Sequence, residues 1–502
     1  MTRPCFVRIS LLFLSALSSA QFVRADESLV TLDDAIRRAL AKSFTLRIEE
    51  MNTPISQARV TAAWGKFDPT LQVSYTYSED ASPQSTDPYG TTRPPNSLAV
   101  ADVYDVGVNG LMPWGLRYNI GGNGTVTRGT YNNYTHQYYS FAGVTFEQPL
   151  LRDFGFGANL ADIRIAKNDK RRSEWQYKQA ITDTITEVVF AFNELHFAKQ
   201  RLRVALRSRA LAAGLVEENQ KHFKVGDRSE YDVISARARV AQREEAILIG
   251  ERAVANQTNE LRQLLSNQTD MSLIALPLDI ADPGEPAMTP VDAAADFRRA
   301  LIDRPDYQEA RLLVERGRLN RAYVGNQRLP ELNIVGSFGY NGFGTSWPQS
   351  RSDLEDRERR SYTAGVVLRV PLTFTQQRGR YREAKLLEQQ AALREQQLEQ
   401  TVLVDVVNAA GQIETTRKRM VAAARARELM QQTLDSEIKK LRAGTSSTFV
   451  VLEIQEQLAQ AEIADYRAKT DANRALAEYD RQLGNTLRRW HVHLSEPERA
   501  RP

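Results

Sequence analysis

The chain has almost no cysteine, no long apolar run past its first residues, and no dominant sign of charge. Each absence removes a class of function. Its only cysteine, Cys5 in MTRPCFVRIS, lies ahead of the short apolar stretch ISLLFLSALSSA. Two arginines without an acid, that stretch, and FVRA after it make residues 1–25 a secretory signal peptide, with cleavage expected at Ala25 or Ala20. A mature chain without Cys5 holds no thiol, which excludes disulfides, thiolate nucleophiles and cysteine metal sites. Cys5 is also on the wrong side of the apolar stretch for a lipid-acceptor cysteine. No later segment nears the roughly 20 apolar residues of a membrane-spanning helix. Charge is balanced, with 66 Lys and Arg against 62 Asp and Glu in 502 residues, which gives no support for a nucleic-acid partner. The histidines His136, His196, His222, His491 and His493 make no HExxH pattern, and a metal at His491-x-His493 is not expected. GFGANL and GGNG lack the spacing of phosphate loops. No cofactor site and no catalytic constellation emerge.

A mean hydropathy of −0.45 with 25% charged residues still permits a membrane protein made of strands, because lipid-facing and lumen-facing residues alternate and average out. The chain also repeats itself. RRAL occurs at Arg37–Leu40 and at Arg298–Leu301, an offset of 261, and at that offset Pro69 meets Pro330, Leu71 meets Leu332 and Val73 meets Ile334. GVTFEQPL at Gly143 pairs with GVVLRVPL at Gly365, an offset of 222. The offset falls because Pro69 and Pro149 are 80 residues apart while Pro330 and Pro371 are 41 apart. Repeat one therefore carries an insertion of 39 residues, the difference of those spacings. DVYDVGVNGLMPWGLRYNIGGNGTVTRG within it reads as one additional hairpin turning at Pro113-Trp114-Gly115.

Each repeat begins with a helical segment, 26–68 and 290–329, that holds a helix of some 36 residues, capped by Thr31 and by Thr289 before Pro290. Pro69 and Pro330 end these helices, and period-two alternation follows over 69–150 and 330–372. In TLQVSYTYS, Leu71, Val73, Tyr75 and Tyr77 share one face and Thr70, Gln72, Ser74 and Thr76 the other, an uncharged polar face suited to a water-filled lumen. After Pro149 and Pro371 the pattern turns helical again, over 151–265 and 373–487. Ile181, Ile185, Val188, Phe192, Leu195, Leu202 and Leu206 follow the four-three spacing of a coiled-coil seam. Each long helix of about 100 Å meets a return helix half its length at a glycine turn, Gly226 and Gly444. Residues 266–289 are an irregular connector beside the helices, and 488–502 a tail. Trp64, Tyr118, Tyr138, Tyr139 and Trp347 are candidates for an interfacial aromatic girdle.

Four strands per chain, or six if the insertion joins the sheet, cannot enclose a conducting lumen alone, and an open edge in lipid leaves backbone groups unsatisfied. Several chains must share one barrel: three copies give twelve strands or eighteen. TLDDAIRRALAKS, FDPTLQVSYTY, GVTFEQPLLRDFG, HFKVGDRSEYDVISARA, ALIDRPDYQEAR and LRAGTSSTFVVLEIQEQLAQAE together resemble the TolC-type outer membrane efflux proteins, over essentially the whole mature chain. The resemblance implies an α+β membrane protein: a trimer with a twelve-stranded outer-membrane β-barrel continuous with an α-helical coiled-coil tunnel across the periplasm. It implies docking to a periplasmic adaptor protein and an inner-membrane transporter, with contact to outer-membrane lipid and no enzymatic activity. Within that family acidic residues past the second turn constrict the tunnel, an Asp six residues after the glycine and another three beyond. Here Gly444 is followed by Val450 and Glu453, while Gly226 is followed at six by Asp232. Glu453, Asp232 and Arg228 are thus candidate gate residues, against a plainer reading of Asp232 as a helix cap and Glu453 as a solvated residue. The competing function is a soluble periplasmic coiled-coil adaptor or scaffold whose strands form a lipoyl-like or sandwich domain.

Overall fold

Four prolines mark where the chain switches between strand and helix, because proline has no amide to donate and biases its predecessor away from helix. In the computed structural model, which describes residues 29–83, 96–226, 229–275, 278–286 and 291–492, the first repeat runs α1 (Leu32–Lys42), α2 (Phe44–Trp64), β1 (Thr70–Pro83), β2 (Asn96–Leu111), β3 (Arg117–Gly129), β4 (Gln137–Pro149), α3 (Gly155–Asn159), α4 (Ala161–Lys224) and α5 (Glu230–Leu265). A one-turn α6 (Ser272–Ala275) lies in the connector. The second repeat runs α7 (Ala293–Asp303), α8 (Pro305–Asn326), β5 (Glu331–Gly344), α9 (Trp347–Glu355), β6 (Arg360–Arg369), α10 (Thr375–Arg442), α11 (Thr448–Gln482) and α12 (Thr486–Arg489). The N-terminal segment, with Cys5 and Ala25, lies outside the described residues.

Several expectations are corrected by local chemistry. The opening helix of each repeat is broken, at Ser43 (φ −58°, ψ 128°) and at Arg304 (φ −67°, ψ 122°), positions that differ by the repeat offset (304 − 43 = 261). Pro305 accounts for the second break, since the residue before proline avoids helix. Arg304, buried there, is held by Asp306 at 2.7 Å and Gln482 at 2.7 Å. Thr31 caps α1 by accepting from the Asp34 amide. The cap of α7 is Asp292; Thr289 and Pro290 lie outside the described residues. Within 330–372 the alternation is interrupted: β5 ends at Gly344 and α9 follows before β6. The seam of α4 is buried from Ile181 to Leu195, but Leu206 is exposed, and Val204, Ala212 and Leu215 take over the buried stripe. The stripe drifts because straight α-helix does not keep a 3.5-residue repeat.

All six strands form one antiparallel sheet in the order β1-β2-β3-β4-β5-β6. The inserted hairpin joins it between β1 and β4, turning at Met112–Leu116 with Gly115 at φ +102°. Such a sheet, with two open edges, is neither a sandwich nor a lipoyl-like domain. α4 and α10, 64 and 68 residues long, run about 95–100 Å from the sheet at 1.5 Å per residue. Near the sheet the helices stand in the order α2-α4-α8-α10, and farther away in the order α5-α4-α11-α10. Short helices thus complete a wall four helices wide along its whole length.

Three apolar clusters hold the wall. Ile181, Ile185, Val188, Phe192 and Leu195 of α4 pack with Ala35, Ile36 and Ala39 of α1, Leu46 of α2, and Val30 and Ile280, which a parallel bridge joins. Val402, Val406 and Ile413 of α10 pack with Ala300, Leu476 and Tyr479. A third cluster near the far ends joins Leu215, Ala236, Leu434, Val451, Leu452 and Leu458. Beside these clusters, α4 and α11 meet through charge: Asp183 with Arg481 at 2.8 Å, Glu194 with Arg467 at 3.0 Å and Arg207 with Glu462 at 3.3 Å. These pairs are partly exposed and worth roughly 0–1 kcal/mol each, so they set register while burial supplies stability. The terminal helix α12 is ordered, and Trp490 and Val492 after it lie against the first cluster. Phe192 is fully buried; Phe192→Ala should lower unfolding stability by about 3–5 kcal/mol, read from thermal denaturation, and an unchanged melting curve would show that the first cluster does not carry the wall.

Candidate functional site

The sheet sorts its side chains by face. Paired positions place Leu71, Val73, Tyr75 and Tyr77 with Val108, Val106, Tyr104 and Asp102 on one face, continuing through Ile120, Val144 and Phe338 to Tyr362. The opposite face bears Gln72, Asn109, Asn119, Thr145, Ser337 and Thr363. There Asn109 donates to Gln72 at 3.0 Å and Asn119 donates to Asn109 at 2.6 Å, an amide ladder across three strands. Ion pairs gather at the helical end of that polar face, Arg117 with Glu147 and Arg369 with Glu331. Farther from the helices the polar row is Gly107, Gly121, Gly143 and Gly339, paired strand to strand. The apolar face is therefore lipid-compatible and the polar face water-compatible, and every strand has at least the roughly 9–11 residues that a transmembrane strand needs.

On the apolar face, from mid-strand toward the end remote from the helices, Trp347 of α9 lies edge-on to Tyr104 at 5.8 Å and to Tyr138 at 5.2 Å, and Tyr104 also meets Tyr75 at 5.0 Å. Aromatics so grouped suit a membrane interface. Tyr118 shares the face near the basal turn. Tyr139 is corrected: its parity puts it on the polar face, against Phe343 at 5.1 Å. Trp64 belongs to the sheet–helix junction, beside Phe67 at 6.0 Å and under the Lys167 ammonium at 5.8 Å. Pro69, Pro149, Pro330 and Pro371 all stand at this junction, where Arg152 bonds Glu331 and Asp153 bonds Gln327.

The far ends of the two helical hairpins form the second candidate site. Gly226 (φ +81°) and Gly444 (φ +76°) take the left-handed conformation that ends a helix. At the second turn the Gly444 amide donates to Leu441 and the Thr445 amide to Lys440. Ser229 caps α5, and Asp232 is spent on that cap: its carboxylate accepts from the Ser229 amide at 3.2 Å and the Ser229 hydroxyl at 2.7 Å. Ser447 caps α11 alone, because Val450 stands where Asp232 stands in repeat one and returns no acceptor. Glu453 is exposed. Arg228 lies outside the described residues. Glu437 accepts from Ser446 and Lys440, and these two bonds hold its carboxyl below the usual range.

Two features of the tips escape a reading of motifs. Asn219, buried in α4, donates to the Asp232 carbonyl at 3.2 Å and accepts from Thr448 at 3.2 Å, clamping one hairpin to the other. A polar residue in a coiled-coil stripe was its only signal. Five residues after each tip glycine stands an aromatic, Tyr231 and Phe449, both exposed. No helix is long and apolar enough to cross a membrane, and no metal-binding cluster occurs among the described residues.

A family model described as outer membrane efflux protein matches residues 35–267 and 297–485. Solved structures share the fold at low identity. The outer-membrane channel OprN is 17% identical, with 90% of each chain covered and a TM-score of 0.68. The CmeC outer membrane channel of Campylobacter jejuni is 15% identical over 96% of this chain and 94% of that one, TM-score 0.68. The outer membrane protein VceC of Vibrio cholerae is 18% identical over 90% and 96%, TM-score 0.65. No curated protein sequence matches the chain.

Gly226→Ala and Gly444→Ala meet open space but force a side chain into positive φ, at about 1–2 kcal/mol each; hydrogen exchange should rise at the altered tip and nowhere else, and uniform protection would refute the strain. The Glu437 clasp is ionised and intact above the ordinary glutamate pKa and is lost as pH falls through its depressed one. The protection factor at residues 441–447, which is exchange relative to the intrinsic rate at each pH, should therefore fall on acidification below the ordinary glutamate range, and Glu437→Gln should remove that dependence; an equal pH response in the variant would refute it.

Proposed function

The chain belongs to the outer membrane efflux protein family, and from that premise we propose that it works as a homotrimeric channel-tunnel fed by an inner-membrane transporter through a periplasmic adaptor. It is an outer-membrane efflux channel with a periplasmic extension of the kind found in Gram-negative cells, and not an enzyme. What carries the trimeric reading is a sheet with opposite apolar and polar faces and two open edges, joined at Pro69, Pro149, Pro330 and Pro371 to a helical wall that is also open at both sides. Along that wall α10 leaves Leu386, Leu393, Val407 and Val421 exposed at seven-residue multiples, and α5 leaves Leu248 and Ile249 exposed. A heptad stripe without a partner in its own chain suits the flank of a neighbouring copy.

Conduction in this reading is passive. Drugs, metal ions or a secreted polypeptide enter at the tips and leave through the barrel, as part of a tripartite efflux or type I secretion assembly, and the transporter selects the cargo. The exposed aromatics Tyr231 and Phe449 face the adaptor. Three copies of Glu453 set a negative potential at the tip, which favours cations over anions. Asp232 contributes through its cap on α5, and Arg228 pairs with a carboxylate of the neighbouring hairpin. Such exposed pairs hold roughly 0–1 kcal/mol each, little enough for adaptor binding to overcome.

Recovery in outer membranes after a high-salt wash, with an adaptor and transporter co-purifying after cross-linking, is the expected result; a monomer soluble without detergent would end the proposal. In planar bilayers Glu453→Ala should reduce cation preference and Arg228→Ser should raise the open fraction. Conductance and selectivity identical to the parent would remove both residues from the gate.

A further inference from the structure

The sheet contains its own template for meeting a neighbour. Within one chain, the last strand of repeat one, β4, pairs with the first strand of repeat two, β5, in the register Pro149↔Asn333 and Phe146↔Gly336. The last strand of repeat two, β6, and the first strand of repeat one, β1, each leave their outer edge unpaired among the described residues. The repeat offsets carry Pro149 to Pro371 (149 + 222) and Asn333 back to Gln72 (333 − 261). We propose that β6 of each copy pairs antiparallel with β1 of the next in the register Pro371↔Gln72, closing three copies into an eighteen-stranded barrel rather than the twelve-stranded one that resemblance alone implies. The inference rests on the trimeric reading and adds the strand number, the interface and its register.

Chemistry along both edges fits. An even number of strands per copy makes β1 and β6 run in opposite directions, so closure is antiparallel throughout. The derived register sets Leu368 beside Tyr75 and Val366 beside Tyr77 on the apolar face, and Arg369 beside Ser74 and Gly365 beside Ser78 on the polar face. Odd residues of β1 meet even residues of β6, which keeps both faces continuous; a slip of one residue would put Leu368 into the lumen. Leu368, Val366, Tyr75 and Tyr77 are 61%, 68%, 58% and 50% exposed in the single chain, and aliphatic–aromatic cross-strand pairs are stabilising. Neither edge carries the devices that keep soluble edges apart. β6 has arginine only at its ends, and β1 has no charge before Glu79 and no proline before Pro83.

The girth also fits. Eighteen strands about 4.8 Å apart and tilted about 40° make a circumference of roughly 113 Å. Twelve helices, four from each copy, spaced about 9 Å make roughly 108 Å. Barrel and tunnel therefore join without a step, whereas twelve strands at that tilt would reach only about 75 Å. With the glycines Gly107, Gly121, Gly143 and Gly339 in one lumen-facing row, the barrel is about 1.5-fold wider than a twelve-stranded one of equal tilt. Selection by size then falls to the periplasmic tips, and the barrel admits any cargo that the tunnel passes.

Paired cysteines test this in intact outer membranes, in a Cys5→Ser background. Antiparallel partners lie about 4.5–5.5 Å apart between Cα atoms, within disulfide range. Tyr77→Cys with Val366→Cys, and independently Tyr75→Cys with Leu368→Cys, should give reductant-sensitive dimers and trimers on oxidation. Val73→Cys with Val366→Cys is four residues out of register and should not. Bridging by that control, or no bridging by either pair while an amine cross-linker still captures trimers, would overturn the interface and leave the trimer standing. Loss of the amine-linked trimer in the unmodified chain would instead overturn the trimeric reading itself.

Discussion

An unpaired backbone amide or carbonyl in hydrocarbon costs several kcal/mol, and that constraint governs this molecule from the sheet downward. A strand cannot sit in lipid with a bare edge, yet β1 and β6 are both bare in the single chain. Six strands are too few to close a conducting barrel. The chain is therefore incomplete by construction, and its helical wall repeats the theme, with an unpartnered apolar stripe on α10 at one side and α5 at the other.

What joins the two layers is covalent geometry rather than a binding interface. Pro69, Pro149, Pro330 and Pro371 place the transitions between the sheet and the helical wall at one level, because none of them can donate within a sheet or inside a helix. Broken helices α1–α2 and α7–α8 then let short segments fill the wall beside α4 and α10 near the sheet, leaving α5 and α11 to fill it beyond. The charged seam between α4 and α11 fits the same scheme. Partly exposed ion pairs such as Asp183–Arg481 add little energy, but they penalise a slip of one helix along the other.

Duplication explains both the regularity and its exceptions. The two tips share a positive-φ glycine, a serine cap and an exposed aromatic, but repeat one closes a capping box through Asp232 while repeat two has Val450 at that place. The acidic pattern expected from the family is therefore split between the repeats: one acid is consumed in capping and another, Glu453, is left free in solvent. Repeat one also carries the inserted hairpin, and because β2 and β3 pair on both sides it widens the sheet instead of decorating a loop.

The amino-acid sequence by itself determined the long helices and the strands, the duplication, the four junction prolines, the tip glycines and the assignment of faces in β1. Those are local or periodic properties: proline and glycine restrict φ, and a period of two or 3.6 is legible without a partner. The break at Ser43, the Asn219 clamp, the exposure of Leu206 and the parity of Tyr139 were decided only in the tertiary structure. Each depends on what lies opposite: a second helix, a neighbouring hairpin or a strand register. Membership of the sheet is the clearest case. The insertion's alternation was visible, but a hairpin's place in the sheet is set by hydrogen bonds to the strands on either side of it, Tyr75 to Tyr104 and Thr125 to Tyr139, and no pattern within the hairpin itself encodes those.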